Sequence, residues 1–473
     1  MIVLIFLLVF AAVLLIPALA AKGRPLGKKR HTVTEEQAAA YAQRLSKMLQ
    51  CATVSHTDRY EDTEFARLRA VMAELFPLVH SRCTRMVFGE DCWVYRLEGE
   101  DTGHNIMLMS HHDVVSAGDD WKYPPFSGTI AEGKIWGRGA VDTKTPLFAE
   151  FTALEELLAQ GFRPRCNVWI ASSHNEETAG SGIPLANQYF KEQGITFDLI
   201  LDEGGGVIDP PISGMNCEKC AMVAIHEKGR HKVRLTASQE PSHANLTPVK
   251  QIPIAERMAA FITEVSKKPG FIRRLNPLVK GMFRAMAPYA AFPMRLVFTN
   301  LWCFGPVLTR LLPRLSPQAG GLIGTTCTFR NLGTDPNGLS CTCDAMLRSV
   351  CDTDFEQDLA WFTDTAAKHG ITVEKTDDWE YHAPADPSLP GFALVEQVVG
   401  EIFPDVPVIP FILPAGTDAR TLTDVCPCVV RFAPIRLSRE QLASVHSRDE
   451  NMDILAVGDC VSFYRRLLET CQS

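Results

Sequence analysis

The sequence predicts an α/β protein with a mostly parallel central sheet and an α+β unit inserted into it. Three observations lead there. First, apolar runs of strand length end in chemistry-bearing side chains. Residues 105–110 (NIMLMS) lead into His111, His112 and Asp113, residues 166–173 (CNVWIASS) into His174, Asn175, Glu176 and Glu177, and residues 197–201 (FDLIL) into Asp202 and Glu203. Second, strand and helix patterns alternate as far as Asp202, as they do when helices join parallel strands. Third, the pattern changes after about His226 and reverts near Val408. Ligands of open α/β sheets bind at the carboxyl ends of the strands, so three such ends carrying His and carboxylates describe a metal site built by the fold.

Along the chain, residues 2–20 are apolar and uncharged, long enough to cross a bilayer. Ala18-Leu19-Ala20 resembles a signal-peptidase site, yet Lys22, Arg24, Lys28, Lys29 and Arg30 follow the segment and no basic residue precedes it. The positive-inside rule then favours an uncleaved anchor with the catalytic part on the cytoplasmic side, a cleaved signal peptide being the alternative. Residues 33–49 have helical period, with Thr32 and Glu35 spaced as a capping box. Residues 92–97 (CWVYRL) read as a strand, and 143–160 as an amphipathic helix ended by Gly161. Beyond His226, strands are expected at 232–237, 324–329 and 339–347, with helices at 253–265 and 355–368. Strands at 408–413 and 429–432 and a helix at 454–470 return to the first pattern. The expected organisation is a leader or anchor at 1–21, a catalytic domain at 31–226 and 376–473, and an insertion at 227–375. The apolar stretch 276–315, broken by Arg284, Pro288, Pro293 and Arg295, reads as helices covering the insertion; a greasy groove or membrane-resting surface is the second reading.

The 473 residues exceed one ordinary core, so two domains are the default. A net charge of −8 lacks the basic excess of a nucleic-acid binder. The 15 cysteines are odd in number, and Cys217-x-x-Cys220 has no second such unit to make a zinc ribbon, so buried free thiols are expected. No Gly-x-Ser-x-Gly, Walker A or His-Glu-x-x-His motif occurs, which removes an α/β-hydrolase, a P-loop nucleotide site and a zincin.

Zinc takes His nitrogen and carboxylate oxygen, and His111-x-Asp113 at a strand end suits a ligand with its orienting carboxylate. Asp142 follows Gly137 and Gly139 before a helix. Adjacent Glu176 and Glu177 repel each other unless a cation or a shared proton lies between them, so one can bind metal while the other moves protons.

The stretches MLMSHHDVV (107–115), GRGAVDTK (137–144), SSHNEETAGSG (172–182), ILDEGG (200–205), PSHA (241–244) and GTDAR (416–420) resemble the dinuclear zinc metallopeptidases that include carboxypeptidase S, aminoacylase, carnosinase and glutamate carboxypeptidase. Residues 286–302 resemble the carboxypeptidase S and N-fatty-acyl-amino-acid hydrolase branch. The resemblance implies a zinc-exopeptidase-type catalytic domain and a ferredoxin-like lid or dimerisation domain. It implies two Zn2+ ions, with cobalt or manganese also suited to the ligands. His111 and Asp202 would hold one, Glu177 and His446 the other, and Asp142 would bridge. Asp113 would orient His111, Glu176 would be the general base, and His243 would donate to the oxyanion. Arg420, Asn337 and Arg348 would hold the substrate carboxylate. The implied activity cleaves an amide next to a free carboxylate, in a peptide or an N-acyl amino acid. A dipeptidase or short-chain deacylase is the in-class alternative, and a catalytically silent binding protein the other. The expected partners are that substrate, the membrane through the N-terminal segment and a second copy of the chain, with no nucleic acid.

Overall fold

The computed structural model describes residues 2–240, 253–315, 320–377 and 382–471. Its strands are β1 (Thr84–Phe88), β2 (Cys92–Leu97), β3 (Asp101–His111), β4 (Thr129–Ala131), β5 (Lys134–Trp136), β6 (Cys166–Ser173), β7 (Leu199–Asp202), β8 (Gly206–Ile208), β9 (Cys220–Glu227), β10 (His231–Ser238), β11 (Thr326–Thr334), β12 (Ser340–Arg348), β13 (Ile371–Lys375), β14 (Val408–Leu413), β15 (Val429–Arg431) and β16 (Asn451–Asp453). The large sheet runs β1-β2-β6-β3-β7-β15-β9-β14, with β8 on β9. Its central members β6, β3, β7 and β15 are mutually parallel, while β1, β2 and β8 are joined antiparallel. All of β6, and β3 from Asn105 onward, are buried, as the continuous apolar runs require of strands covered on both faces.

The helix at Lys144–Ala159 is not amphipathic. Phe148, Phe151 and Leu154 are buried, but so are Lys144, Thr145, Glu150 and Thr152. The helix lies between the sheet and the helix Ile454–Thr470, which leaves it little solvent-facing side. Two of these polar residues find internal partners: Lys144 Nζ donates to the Cys51 carbonyl at 2.7 Å, and Ser110 donates to Glu150 at 2.9 Å, whereas Thr152 Oγ1 has none. Burial pulls the Lys144 ammonium down to about 8. Each buried Phe contributes about 1.5–3 kcal/mol, and the polar pairs limit the cost of burying the rest. The capping box of the helix Glu35–Leu49 also differs from expectation, being formed by Thr34 and Gln37. Thr32 is engaged elsewhere, its N–H and hydroxyl both donating to Asp459 at 2.8 Å.

The second sheet, β11-β12-β10-β13, is antiparallel throughout and lies in sequence between β9 and β14. With the helices Ile254–Lys267 and Asp352–Lys368 it has the βαββαβ order of a ferredoxin-like unit. Burial alternates along β10 and β12, and Val233, Leu235, Cys343 and Ala345 pack with Phe261 and Phe362 into one core. The helices Pro277–Met286, Phe292–Thr299 and Leu301–Leu315 do not cover this sheet. They build a separate core with β9 and β14 of the large sheet, to which Phe283, Phe298, Met222, Ile409 and Phe411 all belong. None of the 15 cysteines is in a disulfide.

Candidate active site

The strand order puts the ends of β6, β3 and β7 side by side, with His111 paired against Ser173. Asp142 reaches this edge from the turn before the helix Lys144–Ala159. Its two oxygens face two imidazoles: Oδ1 lies 3.0 Å from His111 Nε2, and Oδ2 lies 2.9 Å from His446 Nε2. His446 Nε2 is also 3.0 Å from Glu177 Oε2. Two groups of ligand atoms, each mutually within 4.8 Å, therefore share Asp142. One is His111, Asp142 and Glu203; the other is Asp142, Glu177 and His446.

Asp202, expected among the ligands, is not in either group; Glu203 takes that place. Asp202 is the last residue of β7, and both its oxygens are committed away from the cluster. One accepts the Glu203 N–H at 2.8 Å and the other the Ala419 N–H at 3.0 Å. Asp202 thus ties the turn at Glu203 to the segment around Asp418, whose carboxylate accepts a hydrogen bond from Ser173 at the end of β6.

Two further carboxylates set the frame. Asp113, fully buried, lies 3.3 Å from His111 Nδ1, and its two oxygens accept the N–H groups of Glu176 and Glu177, each at 3.2 Å. Asp113 therefore orients the His, whose Nδ1 also lies 3.0 Å from the Asp113 backbone carbonyl, and fixes the turn carrying both glutamates. Glu450 was not among the expected residues. It accepts from the N–H groups of Val141 and Asp142 at 2.7 and 3.0 Å and pairs with Arg138 at 2.6 Å. It joins the Asp142 turn to the loop that carries His446, a residue in the left-handed region at φ 58°. Only its position four residues after His446 could have suggested it.

Charge is concentrated here. Against the desolvation of its buried ring, Asp113 and Asp142 hold His111 well above its ordinary value. Hydrogen bonds donated to the Asp142 and Glu177 carboxylates bring His446 up to about 10. Desolvation raises Glu203 well above the carboxylate range, and Asp142 adds to it. Desolvation does the same to Glu176, reinforced by Asp418, Glu203 and Asp113 against the pull of His111.

Glu176, Glu177 and His446 line a cavity of ≈ 1010 Å3 whose other walls carry Arg230, Arg348 and Arg420. Arg348 is mostly buried and its Nη1 has no hydrogen-bond partner. Desolvation, with the neighbouring Arg230 and Arg420 guanidiniums, holds Arg348 below its ordinary value. Asn337 does not line this cavity; it sits exposed at the turn between β11 and β12. Arg230, between β9 and β10, takes a place that the sequence did not suggest. His243 lies outside the described residues.

The donor set fits a divalent cation. It offers imidazole nitrogen and carboxylate oxygen, the pair that zinc takes, and Glu177 Oε1 is buried with no hydrogen-bond partner. Three carboxylates held this close repel one another unless a cation or proton intervenes.

Comparison with known proteins points the same way. The chain is 28% identical over 451 residues to an N-fatty-acyl-amino acid synthase/hydrolase of Xenopus tropicalis, covering 92% of this chain and 87% of that one. It is 29% identical over 446 residues to a probable carboxypeptidase S-like protein of Dictyostelium discoideum, covering 91% and 85%. Its fold matches an M20 family metallo-carboxypeptidase from Sulfolobus solfataricus with a TM-score of 0.66 at 16% identity, over 91% of this chain and 99% of that one. It matches human carnosine dipeptidase 1 with a TM-score of 0.62 at 14% identity, over 94% and 100%. Residues 107–470 match the model of peptidase family M20/M25/M40, so the chain belongs to that family of metal-using peptidases and is a hydrolytic enzyme.

Proposed function

We propose that this enzyme hydrolyses an amide bond next to a free carboxylate, in an N-acyl amino acid or at a peptide C-terminus. The observation that carries the reading is the shared cavity, lined both by acid–base and ligand groups (Glu176, Glu177, His446) and by guanidiniums (Arg230, Arg348, Arg420). A guanidinium binds a carboxylate bidentately, and a substrate carboxylate would satisfy the unpartnered Arg348 Nη1. His111, Asp142 and Glu203 would hold one zinc ion and Asp142, Glu177 and His446 a second, with cobalt or manganese also suited to these ligands. Bound there, the ions acidify the attacking water and polarise the scissile carbonyl.

Glu176 would take the proton from the water and return it to the leaving amine. Its desolvated carboxyl holds a proton more firmly than an exposed one, which suits both halves of that task. Asp113 would keep the His111 ring in place and Glu450 the Asp142 turn. Residues 31–226 and 376–473 would form the catalytic domain, and 227–375 a lid that supplies Arg230, Arg348 and, from outside the described residues, His243 as oxyanion donor. A homodimer through that lid remains part of the proposal, as does an anchoring role for the helix Ile2–Ala20, the described helix long and apolar enough to cross a membrane by itself.

The test is a panel of N-acyl amino acids, C-terminal dipeptides and their carboxamides. Free carboxylates should be required. Replacing Arg420 with Met should raise KM about 10- to 100-fold, the loss of one charge-assisted hydrogen-bonded pair, with a smaller effect on kcat. Equal turnover of carboxamides would remove the carboxylate subsite from the account.

A further inference from the structure

We propose that the helices Phe292–Thr299 and Leu301–Leu315 dip into the bilayer beside the N-terminal helix and that the cleft along the second of them binds an anionic phospholipid. The depth argument rests on the anchor reading given above. The helix Ile2–Ala20 is exposed along almost its whole length, Ile2 at 82% and Phe6 at 69%. The protein meets it at mid-span. The Leu14 carbonyl accepts a hydrogen bond from Asn300 at 2.9 Å, and Phe10 makes an edge contact with Trp302 at 6.3 Å. At 1.5 Å per residue, Phe10 lies about 15 Å from the Ala20 end, roughly half the thickness of a hydrocarbon core. If the first helix spans the membrane, Asn300 and Trp302 sit inside it. The two helices bend there by 107°, as a re-entrant pair does. Trp302 is 62% exposed, and Phe292, Val307 and Leu311 are exposed with it, an apolar surface continuous with the span.

One side of the helix Leu301–Leu315 forms the wall of a cavity of ≈ 830 Å3. Leu301 and Trp302 line one end. Arg310 and Arg314 follow, about 12 and 18 Å further along the helix by its rise. Arg273 and Lys280 also line the cavity, and among the described residues no carboxylate does. Among the described residues these four cations make no ion pair, whereas the nearby Arg274 is held by Asp354. An apolar end and a cationic end further along the same helix match a fatty chain with an anionic headgroup. Each basic residue near a membrane surface favours an anionic lipid by about a factor of five.

The experiment uses the full chain, purified from membranes in a non-ionic detergent, with fluorescent phosphatidylserine and phosphatidylcholine as probes. The serine lipid should bind at least about tenfold more tightly at low salt, the preference shrinking as salt rises. R310Q/R314Q should bring its affinity down to that of the choline lipid while amide hydrolysis persists, which shows that the variant is folded. K280Q alone should give a partial loss and guards against a folding failure in the double variant. Inorganic phosphate at matched ionic strength should not displace the lipid. Equal binding of the two lipids, unchanged binding by R310Q/R314Q, or full displacement by phosphate would each overturn the proposal. Intact mass of the purified chain reads the anchor separately: residues 1–20 are retained if it is an anchor, whichever way the lipid probes fall.

Discussion

Glu176→Gln is expected to lower kcat for amide hydrolysis by about 10³-fold, within the span that a positioned acid–base group supplies. The substitution keeps the size of the side chain and removes its ability to accept a proton. The backbone should not move, because the Glu176 N–H is anchored on Asp113 rather than by its own side chain. Glu176 belongs to neither ligand group, so metal content should match that of the parent. Steady-state kinetics beside elemental analysis checks both statements. A variant that lost its metal would make Glu176 a ligand, and one that kept its rate would not contain the base.

Asp142→Ala should be the more damaging change. Asp142 is the one residue common to both ligand groups, with an oxygen turned toward each imidazole. Its loss should strip both ions and bring hydrolysis to the assay background. Folding should survive. Asp142 raises the carboxyls of Glu203 and Glu450, but against the desolvation of its burial its own carboxyl is pulled well down by His111 and His446, so its net contribution to the metal-free fold is stabilising. The metal-free variant should therefore melt below the metal-free parent, and the parent alone should gain stability when zinc is added. Elemental analysis and thermal melts with and without zinc read this. A variant that retained a full metal complement would show that Asp142 is not the shared ligand.

Much of this was legible in the sequence because the fold places its chemistry at strand ends. Cys92–Leu97, Cys166–Ser173 and Ile454–Thr470 fall where composition and period put them. The ambiguities were geometric. Asp202 and Glu203 are neighbours at the end of a strand, and successive side chains there point to opposite faces, so one of the two had to miss the site. Which one depends on how β7 is seated between β3 and β15, a long-range fact. The stretch TVTEEQ contains two capping-box spacings, and the contact of Thr32 with Asp459 decides between them. The buried helix Lys144–Ala159 reads as amphipathic because some of its polar residues find partners far away in sequence, such as Lys144 at Cys51. His446 has no strand before it, and only the family resemblance singled it out. Glu450 and Arg230 carried no local signal.

The measurement that tests the account most directly is a zinc titration of the chelator-treated full chain, followed by hydrolysis of an N-acyl amino acid. No turnover is expected without metal, then a rise that levels off at two zinc ions per chain. Full activity in the metal-free protein would contradict it.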